Sequence, residues 1–178
     1  MKYCEFKNGQ TLLIREAVKK DAPGIIQYLY EIASESDFLT FGEGEISISV
    51  SEEEAFIEAS AQTDNRLFIV AEINGKIVAC LNFTGDTKPR KRHTGEFGVS
   101  VLRAYWDLGI GTQLVKYLIS WAQASNVIRK INLRVREDNH RAIKLYSKLG
   151  FIKEGIITRE FLVDGKFYDA VFMGLQID

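Results

Sequence analysis

The chain predicts an α/β fold: a mixed, mainly antiparallel sheet of six to seven strands with four helices. Three observations carry that expectation. Stretches of period-two hydrophobicity alternate with stretches of period 3.6 along the chain. Asn74-Gly75 and Asp164-Gly165 each join two strand-like runs, and such dipeptides supply the positive φ angles of a tight antiparallel hairpin. Elsewhere a helix stands between strands, which is how parallel neighbours are connected.

The elements follow in order. Thr11 to Ala17 alternates as a first strand. Asp21-Ala-Pro23 then opens a helix, with Asp21 as N-cap and proline in the first turn, through Ile25, Ile26, Leu29, Tyr30 and Ala33. Ser51-Glu-Glu-Glu54 has the spacing of a capping box and starts a second helix running to about Gln62. Leu67 to Ile73 and Lys76 to Phe83 are the arms of the first hairpin. After a basic loop, Thr84 to His93, comes a strand, Glu96 to Val101. Ile110 to Ala124 places Leu114, Tyr117, Leu118, Trp121 and Ala122 on one helical face. Lys130 to Arg136 is a strand, and Asn139 to Leu149 a helix stopped by Gly150. Phe151 to Glu154 begins a short strand, and the last twenty or so residues form the second hairpin. With 178 residues and no repeat or linker, a single domain over 1–178 is expected.

Composition excludes several classes. Apolar residues make up 46% and charged residues 26%, as in soluble globular domains, and no apolar run is long enough to span a membrane. The opening MKYCEFKNGQTLLIRE lacks the features of a signal peptide. Cys4 and Cys80 are too few and too distant for a disulfide framework or a zinc site, so reduced thiols, no metal and a cytoplasmic location are expected. A net charge of −1 argues against nucleic-acid binding. That average hides a division: eleven acids and no base lie between Asp21 and Asn65, and all 23 Lys and Arg lie outside. Such asymmetry bears on partners, an anion favouring the basic part and a cation the acidic part.

The stretch from Val99 to Leu114 runs strand, loop, Gly109-Ile110-Gly111, helix. Glycines at a helix start let the backbone approach a ligand, and the first N–H groups of the helix point outward unpaired, a site suited to phosphate. No Gly-Lys-Ser/Thr follows, and a third glycine is missing, so neither a Walker loop nor a dinucleotide fingerprint fits. A tight helix entry explains Gly-x-Gly equally well.

From Glu96 to Phe151 the chain resembles the GNAT superfamily of N-acetyltransferases, whose signature is Arg/Gln-x-x-Gly-x-Gly/Ala. Gly109 and Gly111 match its glycines, while Trp106 stands at the leading position, a departure. Val135, Asn139, Ala142, Leu145-Tyr146 and Gly150-Phe151 match a second block in the right order. Strand order extends the likeness over roughly Leu12 to Leu175, and the ribosomal-protein-type branch is the most similar.

The resemblance implies an acyl-CoA N-acyltransferase fold whose central parallel strands, Glu96 to Val101 and Lys130 to Arg136, are splayed. It implies acetyl-CoA as cosubstrate and direct acetyl transfer to a primary amine on a small molecule or a peptide N-terminus. Val99, Ser100 and Val101 would hold pantetheine through backbone atoms, and Asp107, Leu108, Gly109, Ile110, Gly111 and Thr112 would cradle the diphosphate. Asn139 would meet the pantetheine arm, and Lys144 or Arg141 a phosphate. Tyr146 would protonate the leaving thiolate, and Glu96 would be the general base, with His93 as the other candidate. Lys88 to Arg92 either touches phosphates or faces solvent, and Trp106 is expected to pack beneath the loop. The acid-rich segment, including Glu31, Glu35, Asp37, Glu43 and Glu45, would wall the acceptor site and favour a cationic amine. Two other classes stay open: a non-catalytic acyl-CoA-binding or sensing module and a nucleotide-binding α/β protein. The aromatic C-terminal hairpin suits either a homodimer or a monomer core.

Overall fold

The computed structural model describes residues 1–6 and 9–178. In chain order its elements are β1 (Lys2–Glu5), β2 (Thr11–Glu16), α1 (Ala22–Glu35), α2 (Val50–Ala61), β3 (Arg66–Ile73), β4 (Lys76–Gly85), β5 (Thr94–Val101), α3 (Ile110–Ala124), β6 (Lys130–Arg136), α4 (His140–Lys148), β7 (Ile152–Val163) and β8 (Lys166–Gln176). All eight strands join one sheet in the order β1-β2-β3-β4-β5-β6-β8-β7. Among the described residues only β5 and β6 are parallel neighbours.

The α/β class and the four helices are as expected, but the sheet has eight strands rather than six to seven. The unexpected strand is β1, four residues of outer edge too exposed to show a hydrophobic alternation. The short strand at Phe151 and the first arm of the second hairpin prove to be one strand, β7, kept continuous by irregularities after Lys153 and after Ile157. Both hairpin turns have the backbone their dipeptides demand: φ is 51° and 78° at Asn74 and Gly75, and 50° and 75° at Asp164 and Gly165. Gly150 takes φ 93°, the left-handed helix stop read from its position.

Two helix starts differ from expectation. The capping box of α2 is Ser49 with Glu52, not Ser51 with Glu54. Both pairs have the Ser-x-x-Glu spacing, and only the extended backbone at Ser49, with Val50 already helical, selects the first. Asp21 precedes α1, but its carboxylate makes no cap bond to the helix. It accepts instead from Arg15 at 2.6 and 2.8 Å and from the Val18 N–H at 2.8 Å. Burial pushes this carboxyl upward, yet Arg15 and Val18 outweigh burial and hold it below its ordinary value.

The sheet separates two cores. On one face Ile110, Leu114, Leu118 and Ala122 of α3 and Tyr146 of α4 pack against Leu81, Phe83, Phe97, Ile131, Leu133 and Val135. On the other, Ile25, Tyr28 and Ile32 of α1 and Ile57 of α2 cover Phe68, Val70 and Cys80. Cys4 and Cys80 are free thiols. Burial raises the Cys80 thiol well above its ordinary pKa, helped by the charges of Glu53 and Asp21, so it stays protonated and unreactive. Among the described residues no helix is long and apolar enough to cross a membrane, and no cluster of three His, Cys, Asp or Glu could hold a metal.

Gly95 shows how tightly β5 is seated beside β4. A Cβ there would lie 2.6 Å from the Thr84 carbonyl oxygen and would meet the Phe83 ring. Gly95→Ala is expected to lower unfolding free energy by about 1–3 kcal/mol, as overpacking in a filled core does, measured by urea titration.

Candidate active site

The parallel pairing of β5 and β6 covers only Thr94–Lys130, Gly95–Ile131 and Glu96–Asn132. Beyond that point β5 stays with β4 as far as Val101, while β6 stays with β8 as far as Arg136. The two strands therefore diverge into a fork, the splay expected of the central pair. Backbone direction alternates along a strand, and the Leu102 N–H bonds the Val78 carbonyl at 3.0 Å on the β4 side. By that parity Ser100 and Gly98 face β4, while Phe97, Val99 and Val101 face the fork. Of the three residues expected to offer backbone atoms there, Val99 turns both its N–H and its carbonyl to the fork, Val101 its N–H, and Ser100 neither. The Ser100 hydroxyl instead pairs with the Tyr28 hydroxyl at 2.7 Å. Phe97, whose carbonyl faces the gap, was missed because the strand's phase is set by its partner.

At the far end of β5 the backbone turns through Trp106 into α3. Asp107 and Gly109 have φ of 62° and 77°. No N–H from Asp107 to Thr112 donates to any described group, leaving six consecutive donors at a helix N-terminus. Six such donors, with the positive end of the helix dipole, form a cradle suited to an anion. Trp106 does not reach toward it. Its indole Nε1 donates to the Val101 carbonyl at 2.7 Å, which ties the loop back to β5 and removes that carbonyl from the fork. Arg103 and Arg141 lie over the indole at 5.7 and 4.9 Å, and Arg141 pairs with Asp107 at 3.0 Å. Guanidinium groups thus stand beside the cradle although the leading position is tryptophan.

Tyr146 and Glu96 flank the fork from opposite faces. Tyr146 stacks edge-on against Phe97 at 5.7 Å and Phe151 at 5.9 Å, on the face of α3 and α4. Its hydroxyl has no hydrogen-bond partner among the described residues. Burial raises the phenol above its ordinary pKa, so it is a proton donor throughout the physiological range. Glu96 lies on the α1 and α2 face, and its Oε1 accepts from Arg134 Nε at 2.8 Å. Arg134 also donates to Glu160 Oε1 at 2.6 Å, and pairing with Glu96 first and Glu160 second raises its pKa. Asn132, opposite Glu96, keeps a buried Oδ1 without a donor.

The remaining candidates divide. Asn139 caps α4, its Oδ1 accepting from the Ala142 N–H at 3.1 Å, so only its Nδ2 is left for a ligand. Lys144 is exposed on α4 without an ion-pair partner among the described residues. His93 is exposed three residues before Glu96, roughly 10 Å down the strand and away from the opening of the fork. The basic loop 88–92 lies at that same end of β5, opposite to the cradle; Lys91 and Arg92 pair with Asp86 and Asp64. Within the acid-rich segment Asp21, Glu31, Glu54, Glu58 and Asp64 pair with Arg15, Lys76, Lys19 and Arg92, four bases for eleven acids. Glu35 accepts from the Arg103 N–H and Glu45 from the Gly42 N–H. The loop after α1 borders the open end of the fork, where the Asp37 carbonyl accepts from Arg136 Nη1 at 2.9 Å.

The acetyltransferase (GNAT) family model matches residues 26–151. The chain belongs to that family. The acetyltransferase of the GNAT family from Streptococcus pneumoniae superposes with a TM-score of 0.91 at 37% identity, over 94% of this chain and 99% of that one. L-amino acid N-acetyltransferase AaaT of Escherichia coli (strain K12) is 32% identical over 105 residues, 59% of this chain and 65% of that enzyme, just under two thirds of its length. A GNAT superfamily phosphinothricin acetyltransferase from Sinorhizobium meliloti, solved in complex with AcCoA, shares the fold at 18% identity with a TM-score of 0.81, over 93% of this chain and 88% of that one. The GNAT match does not single out the ribosomal-protein-type branch.

The two signature glycines of this GNAT chain have different physical jobs. Gly109 has open space around a would-be Cβ but a left-handed φ, whereas Gly111 has an ordinary φ and its nearest neighbour, Leu145 Cδ1, at 3.6 Å. Gly109→Ala should cost about 1–2 kcal/mol of stability through backbone strain alone. Gly111→Ala should be neutral, or stabilising by up to about 1 kcal/mol, because alanine suits a helix interior better. Paired urea titrations of the two variants check the contrast.

Proposed function

We propose that this GNAT chain transfers the acetyl group of acetyl-CoA to a primary amine, by direct attack while both substrates are bound. The observation that carries the reading is the fork with its cradle: two strands parted beside six unpartnered N–H groups at the start of α3. Backbone groups of Phe97, Val99 and Val101 would pair with the pantetheine amides as an added strand would. The N–H groups of Asp107, Leu108, Gly109, Ile110, Gly111 and Thr112 would take the diphosphate, and Asn139 Nδ2, Lys144 and Arg141 lie on the same side for further contacts.

Transfer requires the amine nitrogen to attack the thioester carbonyl, the carbon–sulfur bond to break and one proton to move from nitrogen to sulfur overall. Glu96 takes the amine proton through its unpaired Oε2. Tyr146, kept protonated by its burial, donates a hydrogen bond to the departing thiolate, which takes its proton from solvent while Glu96 returns the amine proton to solvent. A strand N–H facing the fork polarises the thioester oxygen. The free Tyr146 hydroxyl supports a catalytic role over a purely acyl-CoA-sensing one, since a packing tyrosine needs no polar tip at the fork. Cytoplasmic location, the absence of nucleic-acid and membrane partners, and a homodimer through the C-terminal hairpin remain part of the same proposal.

Tyr146→Phe is expected to reduce kcat by 10²–10⁴-fold, the usual span for loss of a positioned acid, with the acetyl-CoA Kd within twofold of the parent. Steady-state rates and calorimetry separate the two quantities. A parent that binds acetyl-CoA but turns over no amine would identify a sensor instead. Val99→Pro should weaken CoA binding at least tenfold, because it removes an N–H that faces the fork, while Val99→Ala changes it less than threefold.

A further inference from the structure

Between Ile157, opposite Ala170, and Phe161, opposite Tyr168, β7 carries three residues where β8 carries one. Arg159 in this bulge has φ 55°, and its N–H donates to the carboxylate of Asp169, the single residue opposite, at 2.9 Å. β7 lies two strand spacings from β6, roughly 10 Å. The bulge re-aims Glu160 across β8 so that it meets Arg134 on β6. Arg134 consequently stands between two carboxylates, Glu96 on its Nε and Glu160 on its Nη1.

At Arg134 itself the charge does not cancel. Two carboxylates share one guanidinium, and neither Oε2 has a hydrogen-bond partner among the described residues, the side chains being 39% and 27% exposed. The other bases on this face of β6 are matched: Lys130 by Glu154 at 2.7 Å and Arg136 by Asp138 at 2.7 and 3.0 Å. Asn132 adds an independent sign of a missing donor, a buried Oδ1 at the base of the fork that nothing satisfies. The acceptor side of the fork therefore presents three spare hydrogen-bond acceptors and, at Arg134, two carboxylates for one guanidinium, while Lys166 stands farther along β8 over the Tyr168 ring.

We infer that Glu96 and Glu160 form a two-carboxylate pocket for an acceptor bearing two amino groups, a diamine or polyamine. One amine meets Glu96 beside the thioester and the second, as ammonium, is held by Glu160. The inference rests on the acetyl-transfer reading of the fork and places a determinant of acceptor recognition at the β7 bulge. An acceptor whose second group is a carboxylate would face Glu160 and be rejected.

Three amines of similar length test it: 1,4-diaminobutane, butylamine and 4-aminobutanoate. Each is titrated by calorimetry into the CoA-saturated protein and assayed for initial rate with acetyl-CoA. Diaminobutane should bind about tenfold more tightly than butylamine, as expected of one charge-assisted hydrogen bond at a part-exposed site, with aminobutanoate weakest. In Glu160→Gln the diaminobutane-to-butylamine ratio should fall to within twofold of one. No preference in the parent, including no measurable diaminobutane heat, or a preference that survives Glu160→Gln, overturns the pocket. Turnover without that preference leaves acetyl transfer standing and the pocket refuted, whereas the preference without turnover supports the pocket and refutes acetyl transfer.

Discussion

The structure turns on a parallel strand pair that is allowed to form and then stopped after three residue pairs. Backbone N–H and C=O groups are obligatory hydrogen-bonding groups, and leaving them unpaired inside a sheet is costly. Here each strand of the fork is held by an antiparallel partner on its outer side, β4 for β5 and β8 for β6, so neither needs the other to remain ordered. The cost of the open edge falls on a few groups aligned along one slot. Those groups are what an extended ligand with its own amides can satisfy.

The same logic extends to the ends and faces of the slot. At its upper end the chain leaves β5 through a loop pinned by the Trp106 indole on the Val101 carbonyl, which delivers the N-terminus of α3 beside the slot. Below, on one face, Phe97, Tyr146 and Phe151 pack ring against ring and bring one phenol to the gap. On the other face, charge dominates, with Glu96, Arg134 and Glu160 in contact. A site with an aromatic, hydrogen-bond-donating wall and a carboxylate-bearing wall suits a reaction in which a thiolate departs on one side and an amine sheds its proton on the other.

Electrostatics also shows where sequence-level charge counting misleads. Eleven acids without a base form a conspicuous block, but ion pairs are made in space rather than along the chain. Arg15, Lys19, Lys76 and Arg92 all lie outside that block and return to it across the fold. Arg136, buried between the rings of Phe38 and Tyr168 at 4.4 and 4.0 Å, further ties the loop after α1 to the sheet through the Asp37 carbonyl. Glu160 carries no mark at all, because its position depends on a bulge whose partner residue is Asp169.

By itself the amino-acid order determined the local elements: both hairpins from Asn-Gly and Asp-Gly, the extents of α3 and β6, the stop at Gly150 and the glycine turn into α3. These are decided by backbone preferences and short-range periodicity, which act over a few residues. Tertiary structure alone decided which of two Ser-x-x-Glu pairs caps α2, which backbone atoms of β5 face the fork, and that Glu160 joins Glu96. Strand phase depends on the register of the partner strand, and an ion pair depends on distances across the sheet. Neither is encoded within the span of residues over which local preferences operate.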